Sequence, residues 1–278
     1  LEGFTYGSVN APTGKEWESP ENLALNKEQP HAYFFPFQHL DNARKVLPEN
    51  SKYWQSLDGD WKFHWAPDPD SRPKDFYQTE YDVSSWDAIP VPSSWNIYGI
   101  QKDGSQKYGT PIYVNQPVIF QHSVKVDDWR GGVMRTPPAN WTTYKDRNEV
   151  GSFRRDFEIP QDWDGREVFI SFDGVDSFFY LWINGQYVGF SKNSRNTANF
   201  NITPYLQKGK NTVAAEVYRS SDGSFLEAQD MFRLPGIFRT VALYSVPKVH
   251  FRDLVATPDL DATYTDGSLT VNAEIRNL

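Results

Sequence analysis

The densest concentration of reactive side chains is Arg219–Arg239, RSSDGSFLEAQDMFRLPGIFR. Asp222, Glu227, Asp230, Arg233 and Arg239 alternate there with Phe225, Phe232 and Phe238. Such a mixture suits a hydroxyl-rich ligand. Carboxylates accept from sugar hydroxyls, guanidiniums donate, and aromatic faces lie against the C–H surface of a pyranose. The same composition also suits a salt-bridged loop that docks a neighbouring domain, and residue types alone leave both readings open. A glycosidase needs two carboxylates flanking one bond, ~5–5.5 Å apart for retention. Asp222, Glu227 and Asp230 are near enough in sequence, but nothing around them builds the pocket that would tune one as an acid. None is assigned as a catalytic pair.

Other chemistries are absent. There is no Gly-rich phosphate loop, no HExxH and no GxSxG. The five histidines (His31, His39, His64, His122, His250) are scattered, without metal-ligand spacing. The chain has no cysteine, which excludes disulfides, thiol catalysis and cysteine-held metals but does not place the compartment. A net charge of -8 with no basic block argues against nucleic-acid and anionic-membrane partners. No apolar run approaches the ~20 residues of a spanning helix.

The elements that must hold the cluster read as strands. In GDWKFHWAP, Trp61, Phe63 and Trp65 share one face and Lys62 and His64 the other, a half-buried strand. Glu167–Asp173 and Phe178–Ile183 are expected to follow the same logic. Asn184-Gly185 is a two-residue turn of the kind that needs positive φ, and Tyr187–Phe190 returns from it. Asn211–Arg219 alternates with Val213, Ala215 and Val217 inward, and Thr240–Val246 is a strand closed by Pro247. Short strands, Gly/Asn/Pro turns and no alternating helices predict an all-β sandwich.

Three segments follow. Residues 1–50 form an extended arm, with a short helix near Asp41–Val46 and the run Tyr33, Phe34, Phe35, Phe37 as its anchor. Residues 51–246 form the sandwich. Residues 247–278 open a second β-domain whose last strand, with Leu269, Val271, Ala273 and Ile275 on one face, stops in mid-pattern. That stop predicts a piece of a longer chain. The stretch Gly99–Gly151 is weakly patterned, and a loop that long is usually functional or an insertion.

SLDGDWKFHW, VPSSWNIYG, PIYVNQPV, FDGVDSFFYLWINGQYVGFSKNSR and DGSFLEAQDMFRLPGIFR resemble the N-terminal sugar-binding domain of bacterial β-galactosidases, glycoside hydrolase family 2. The arm, WESP…HAYFFPF, resembles the start of that family, so the likeness runs from about Trp17 to the C-terminus. The LDG-W-F and GIFR patterns are shared with β-glucuronidases and β-mannosidases, whereas EAQDMFR is closer to β-galactosidases. The resemblance implies a jelly-roll sandwich, then an immunoglobulin-like domain of which this chain holds only the beginning, then a (β/α)₈ barrel carrying both catalytic glutamates. This chain then contains no catalytic residue and is expected to be inactive alone.

The resemblance also implies site roles. Asn115, in the YxN segment, bonds the galactosyl group; Asp230 reaches the barrel mouth and holds a sodium ion and sugar hydroxyls. A turn before Pro117 and an ion pair with Arg233 or Arg239 are the respective alternatives. Asp222 and Glu16 correspond to ligands of a magnesium ion away from the active site. Glu16 stands where the family has Asp, and Ser19 where it has Asn, which puts that site in question. Sodium and magnesium are expected in the whole enzyme and neither tightly in this chain. The implied partners are β-galactosides, the chain's own barrel, and further copies of the whole protein in a homo-oligomer. The segment Gln121–Gly151 is longer and more charged than the family pattern, so a different active-site mouth is expected. A free-standing carbohydrate-binding module and a purely bracing domain are the competing readings.

Overall fold

The computed structural model describes residues 11–113, 148–227 and 231–278. Seventeen strands appear there. They are β1 (Ala24–Leu25), β2 (Trp54–Ser56), β3 (Gly59–Ala66), β4 (Asp87–Val91), β5 (Ile112–Tyr113), β6 (Val150–Glu158), β7 (Glu167–Phe172), β8 (Val175–Asp176) and β9 (Phe178–Ile183). Then follow β10 (Gln186–Lys192), β11 (Ala198–Asn201), β12 (Lys210–Tyr218), β13 (Phe232–Arg233), β14 (Gly236–Ile237), β15 (Val241–Val246), β16 (Val249–Leu260) and β17 (Gly267–Asn277). A seven-stranded sheet, ordered β1-β10-β9-β12-β6-β3-β4, faces a four-stranded sheet, ordered β11-β7-β15-β2. Neighbours in both sheets are antiparallel. This is the all-β sandwich that the alternation predicts.

Period two explains the main core. Trp61, Phe63, Phe153, Phe179, Leu181, Val213, Ala215 and Val217 point from the large sheet toward Ile170, Phe172, Phe200, Val241 and Leu243 of the small one. The β9–β10 hairpin closes on Asn184 (φ 50) and Gly185 (φ 77), the positive values that Asn-Gly supplies at low cost. The short helix falls at Leu40–Ala43.

Two expectations need correction. Strands β7 and β9 are not half-buried: five of six residues of β7 and all six of β9 are buried. The outer face of β9, Phe178, Tyr180 and Trp182, joins Tyr187, Phe190, Tyr218, Phe76 and Trp17 in a second apolar layer. Two loop segments supply the cover. The turn around Phe76 is held by Arg154, whose guanidinium donates to the carbonyls of Phe76, Gln78, Thr79 and Tyr81 at 2.9–3.3 Å. The arm supplies Trp17, fully buried and stacked on Tyr218 with ring centroids 5.2 Å apart. Trp17 is therefore the arm's anchor. In the run Tyr33 to Phe37, Tyr33 and Phe34 are exposed, whereas Phe35 and Phe37 are half-buried and Phe35 lies beside Phe169 and Tyr244 of the body, a second and shallower attachment.

Beyond Pro247, β16 and β17 form a hairpin whose apolar residues Leu269, Val271 and Ile275 are exposed. It touches the arm through Asp253 Oδ1, which accepts from the Ala32 N–H at 2.8 Å, and through the ion pair of Arg276 with Glu28 at 2.9 Å.

Candidate functional site

One end of the large sheet collects the polar cluster. There β6 and β9 begin, and β10 and β12 end. β12 runs into Arg219, whose N–H donates to the Glu149 carbonyl at 2.9 Å and whose guanidinium pairs with the Glu149 carboxylate. That carboxylate also accepts from Trp95 Nε1 at 2.8 Å and Asn96 Nδ2 at 3.1 Å. Arg219 donates in addition to the Thr110 carbonyl at 2.9 Å. One buried ion pair thus ties the WNIY helix (Trp95–Tyr98), the segment before β5, the start of β6 and the end of β12. Buried charges persist where each is paired and hydrogen-bonded, as here.

Above this floor lies an open cleft lined by Ser94, Asp176, Arg195, Met231, Phe232 and Phe238. It continues to Ser194, Glu227 and Arg233. β14 pairs with β8 and so brings the GIFR segment against FDGVD. Gly174 of that turn leaves room for the Phe238 ring, which a Cβ would approach to 2.7 Å. The guanidiniums of Arg195 and Arg239 both rest on Phe238, at 4.8 and 5.3 Å from its centroid. Ser194 Oγ donates to Glu227 Oε2 at 2.5 Å, and its N–H donates to Glu227 Oε1 at 2.8 Å. Asp176 lies 3.8 Å from Arg195 and 3.4 Å from Ser194 Oγ. Burial pushes the Asp176 carboxyl up to about 6, against the pull of Arg195. The rim therefore offers a carboxyl group that keeps its proton to higher pH than an ordinary aspartate, a guanidinium, a serine and exposed aromatic surface, with Phe232 61% exposed. These groups suit a polyhydroxylated ligand.

The predicted residues fall as follows. Asn115 and Asp230 lie outside the described residues, as does residue 114–147 of the long loop, and with Asp230 goes the sodium assignment. Glu227, Arg233 and Arg239 do come together around the cleft. Asp222 does not. It is buried at the back of the turn, 2.8 Å from Lys192 Nζ, and its N–H donates to the Trp17 carbonyl at 2.9 Å. Glu16 accepts from the Tyr180 hydroxyl at 2.5 Å and the Thr13 N–H at 2.8 Å. Its carboxyl sits below the usual range: burial pushes it up, but these hydrogen bonds outweigh burial.

The expected magnesium does not fit these residues. The position between Asp222 and the arm holds the Lys192 ammonium, which also donates to the Ser19 carbonyl at 2.5 Å. A divalent cation and an ammonium repel each other and compete for the same oxygens. Among the described residues no group of three or more His, Asp or Glu side chains is arranged to hold a metal ion.

Sequence reasoning missed Asp176, Ser194, Arg195, the Glu149–Arg219 pair and Lys192. The available signal was that FDGVD and SKNSR flank the β9–β10 hairpin, which must return both to the same end of the sheet.

The chain matches the model of "Glycosyl hydrolases family 2, sugar binding domain" over residues 54–247. It is 42% identical over 263 residues to a β-galactosidase of Priestia megaterium, covering 94% of this chain and 24% of that protein. It is 38% identical over 254 residues to a β-galactosidase of Halalkalibacterium halodurans, covering 91% and 23%. The chain thus spans about a quarter of the length of these curated relatives. Among solved structures it is similar to a Bacteroides uniformis β-glucuronidase, with TM-score 0.57 and 21% identity over 81% of this chain and 22% of that one. It is likewise similar to a β-glycosidase from Bacteroides vulgatus, with TM-score 0.56 and 24% identity over 81% and 24%. At those identities the structural likeness speaks for the sandwich alone, whereas the family match covers most of the chain. The chain belongs to glycosyl hydrolase family 2, and what it carries is that family's sugar binding domain.

Proposed function

We propose that this chain is the non-catalytic sugar-binding portion of a retaining β-galactosidase that hydrolyses terminal β-galactosyl residues. The observation that carries the reading is the 42% identity, across 94% of the chain, to a protein named β-galactosidase. The geometry at the open end supports it. The carboxylates described there are engaged by partners: Glu149 by Arg219, Asp222 by Lys192, Glu227 by Ser194, and Asp176 by Arg195 and Ser194. Such groups orient a sugar or brace a loop rather than attack an anomeric carbon. The acid/base and the nucleophile belong to a barrel elsewhere in the whole protein. Asp230 and Asn115 then reach the galactosyl group from outside that barrel, and Asp230 shares a sodium ion with it.

The test uses the whole protein on aryl β-galactoside, β-glucuronide and β-mannoside. Preference for the galactoside is expected; preference for another sugar overturns the galactosyl assignments. Asp230→Ala is expected to raise KM and lower kcat in sodium buffer. Calorimetry of the 278-residue chain alone with galactose is expected to be silent. Millimolar binding by the chain alone points instead to a free-standing carbohydrate-binding module.

A further inference from the structure

Lys192 closes β10 with its side chain only 2% exposed. A lysine that deep needs oxygen partners. It has the Asp222 carboxylate at 2.8 Å and the Ser19 carbonyl at 2.5 Å. Glu16 adds a favourable field from the same side. Backbone bonds bind the same pieces together. The Lys192 N–H donates to the Leu23 carbonyl at 3.1 Å, and the Asp222 N–H donates to the Trp17 carbonyl at 2.9 Å. Arm, β10 and the turn that leads to Glu227 therefore converge on one ammonium group.

The recorded partners of that ammonium are oxygens, and the charges beside it, Asp222 and Glu16, are anionic, the donor chemistry of a hard cation. They are also the residues to which the family resemblance assigns a magnesium ion. We infer that the Lys192 ammonium is a built-in replacement for that divalent cation: it locks the arm to the Asp222 turn, and the chain takes no metal there. The ammonium is tethered to β10, so the lock forms with the fold and is indifferent to chelators. It carries one charge against the ion's two, and Glu16 compensates by spending its carboxylate on Tyr180 and Thr13 rather than on a metal. The lock is independent of which glycoside the whole protein cleaves.

Thermal unfolding of the 278-residue chain in EDTA and in millimolar magnesium chloride tests this. The wild-type Tm is expected to be the same in both. Lys192→Gln removes the charge and leaves an amide oxygen among the oxygens. Its Tm is expected to fall in EDTA and to recover with magnesium, as ligand linkage requires. Adding Asp222→Asn to that variant is expected to abolish the recovery. A wild-type Tm that rises with magnesium and loses the rise in Asp222→Asn overturns the inference, as does a folded Lys192→Gln chain that magnesium does not stabilise. Should Lys192→Gln not fold, manganese titration of the wild-type chain by water-proton relaxation decides. No site that depends on Asp222 is expected, and one that disappears in Asp222→Asn overturns the inference.

Discussion

The Arg219 guanidinium and the Glu149 carboxylate face each other with side chains 1% and 2% exposed, directly beneath the cleft. They flank adjacent strands, Arg219 just after β12 and Glu149 just before β6. Their remaining hydrogen bonds reach Trp95, Asn96 and Thr110. Gly109, at φ +71, lets the backbone pass this carboxylate where a Cβ would lie 2.2 Å from Oε1. The floor of the cleft is thus an electrostatic joint between loops that are distant in sequence.

Removing one charge should be far worse than removing both. Glu149→Gln keeps the shape but leaves Arg219 buried without its counter-charge, and a loss of about 3–5 kcal/mol is expected. Glu149→Gln with Arg219→Met should recover part of it, because no charge then remains to be desolvated. Urea midpoints of the two single variants and the double variant check this; a double variant as unstable as the sum of the singles counts against the joint.

Trp17→Ala should uncover the outer face of β9 and β12. The indole stacks on Tyr218 and donates to the Gly14 carbonyl at 3.1 Å. Truncating a buried tryptophan costs about 3–5 kcal/mol. Limited proteolysis should show the arm cleaved before the sandwich, and equal cleavage of arm and body would contradict the anchoring role.

Gly189→Ala should detach the arm's strand without melting the body. Gly189 sits at a register shift in β10, and a Cβ there would lie 2.1 Å from the Leu25 carbonyl oxygen. That oxygen belongs to β1, which pairs with β10 over only two residues, so β1 must move. The cost is about 1–3 kcal/mol, typical of overpacking. Hydrogen exchange should speed up around Ala24 and Leu25 while β9 and β12 stay protected.

How much was legible follows from range. The Asn184-Gly185 hairpin and the inward set Val213, Ala215, Val217 are local patterns, and they fold as alternation predicts. The burial of Tyr180 and Trp182 was not legible, because what covers them, Trp17 and Phe76, comes from segments without periodicity. The cluster Arg219–Arg239 was found by its composition, yet the partners of its charged groups lie elsewhere. Glu149 answers Arg219, Lys192 answers Asp222, and Ser194 answers Glu227. Lys192 lies two residues beyond the returning strand Tyr187–Phe190 that the pattern defines, and its partners Ser19 and Asp222 come from the arm and a distant turn.

Asp176 should make the chain lose stability as pH rises through the mildly acidic range. Its carboxyl is raised from 3.8 to about 6, chiefly by burial, with Arg195 opposing and Glu227 reinforcing the rise. Well below pH 4 the group is protonated in both folded and unfolded chains. Between that value and about 6 the unfolded chain releases the proton while the folded chain retains it. The folded state then binds more protons, and stability falls with rising pH. The whole loss is on the order of 3 kcal/mol and is complete above the folded value. Asp176→Asn keeps the size and removes the titration. Its stability relative to wild type should therefore increase from pH 4 to pH 7, as read from urea midpoints across that range. A difference between variant and wild type that is constant over the range would show that Asp176 ionises in the folded chain as readily as in the unfolded one.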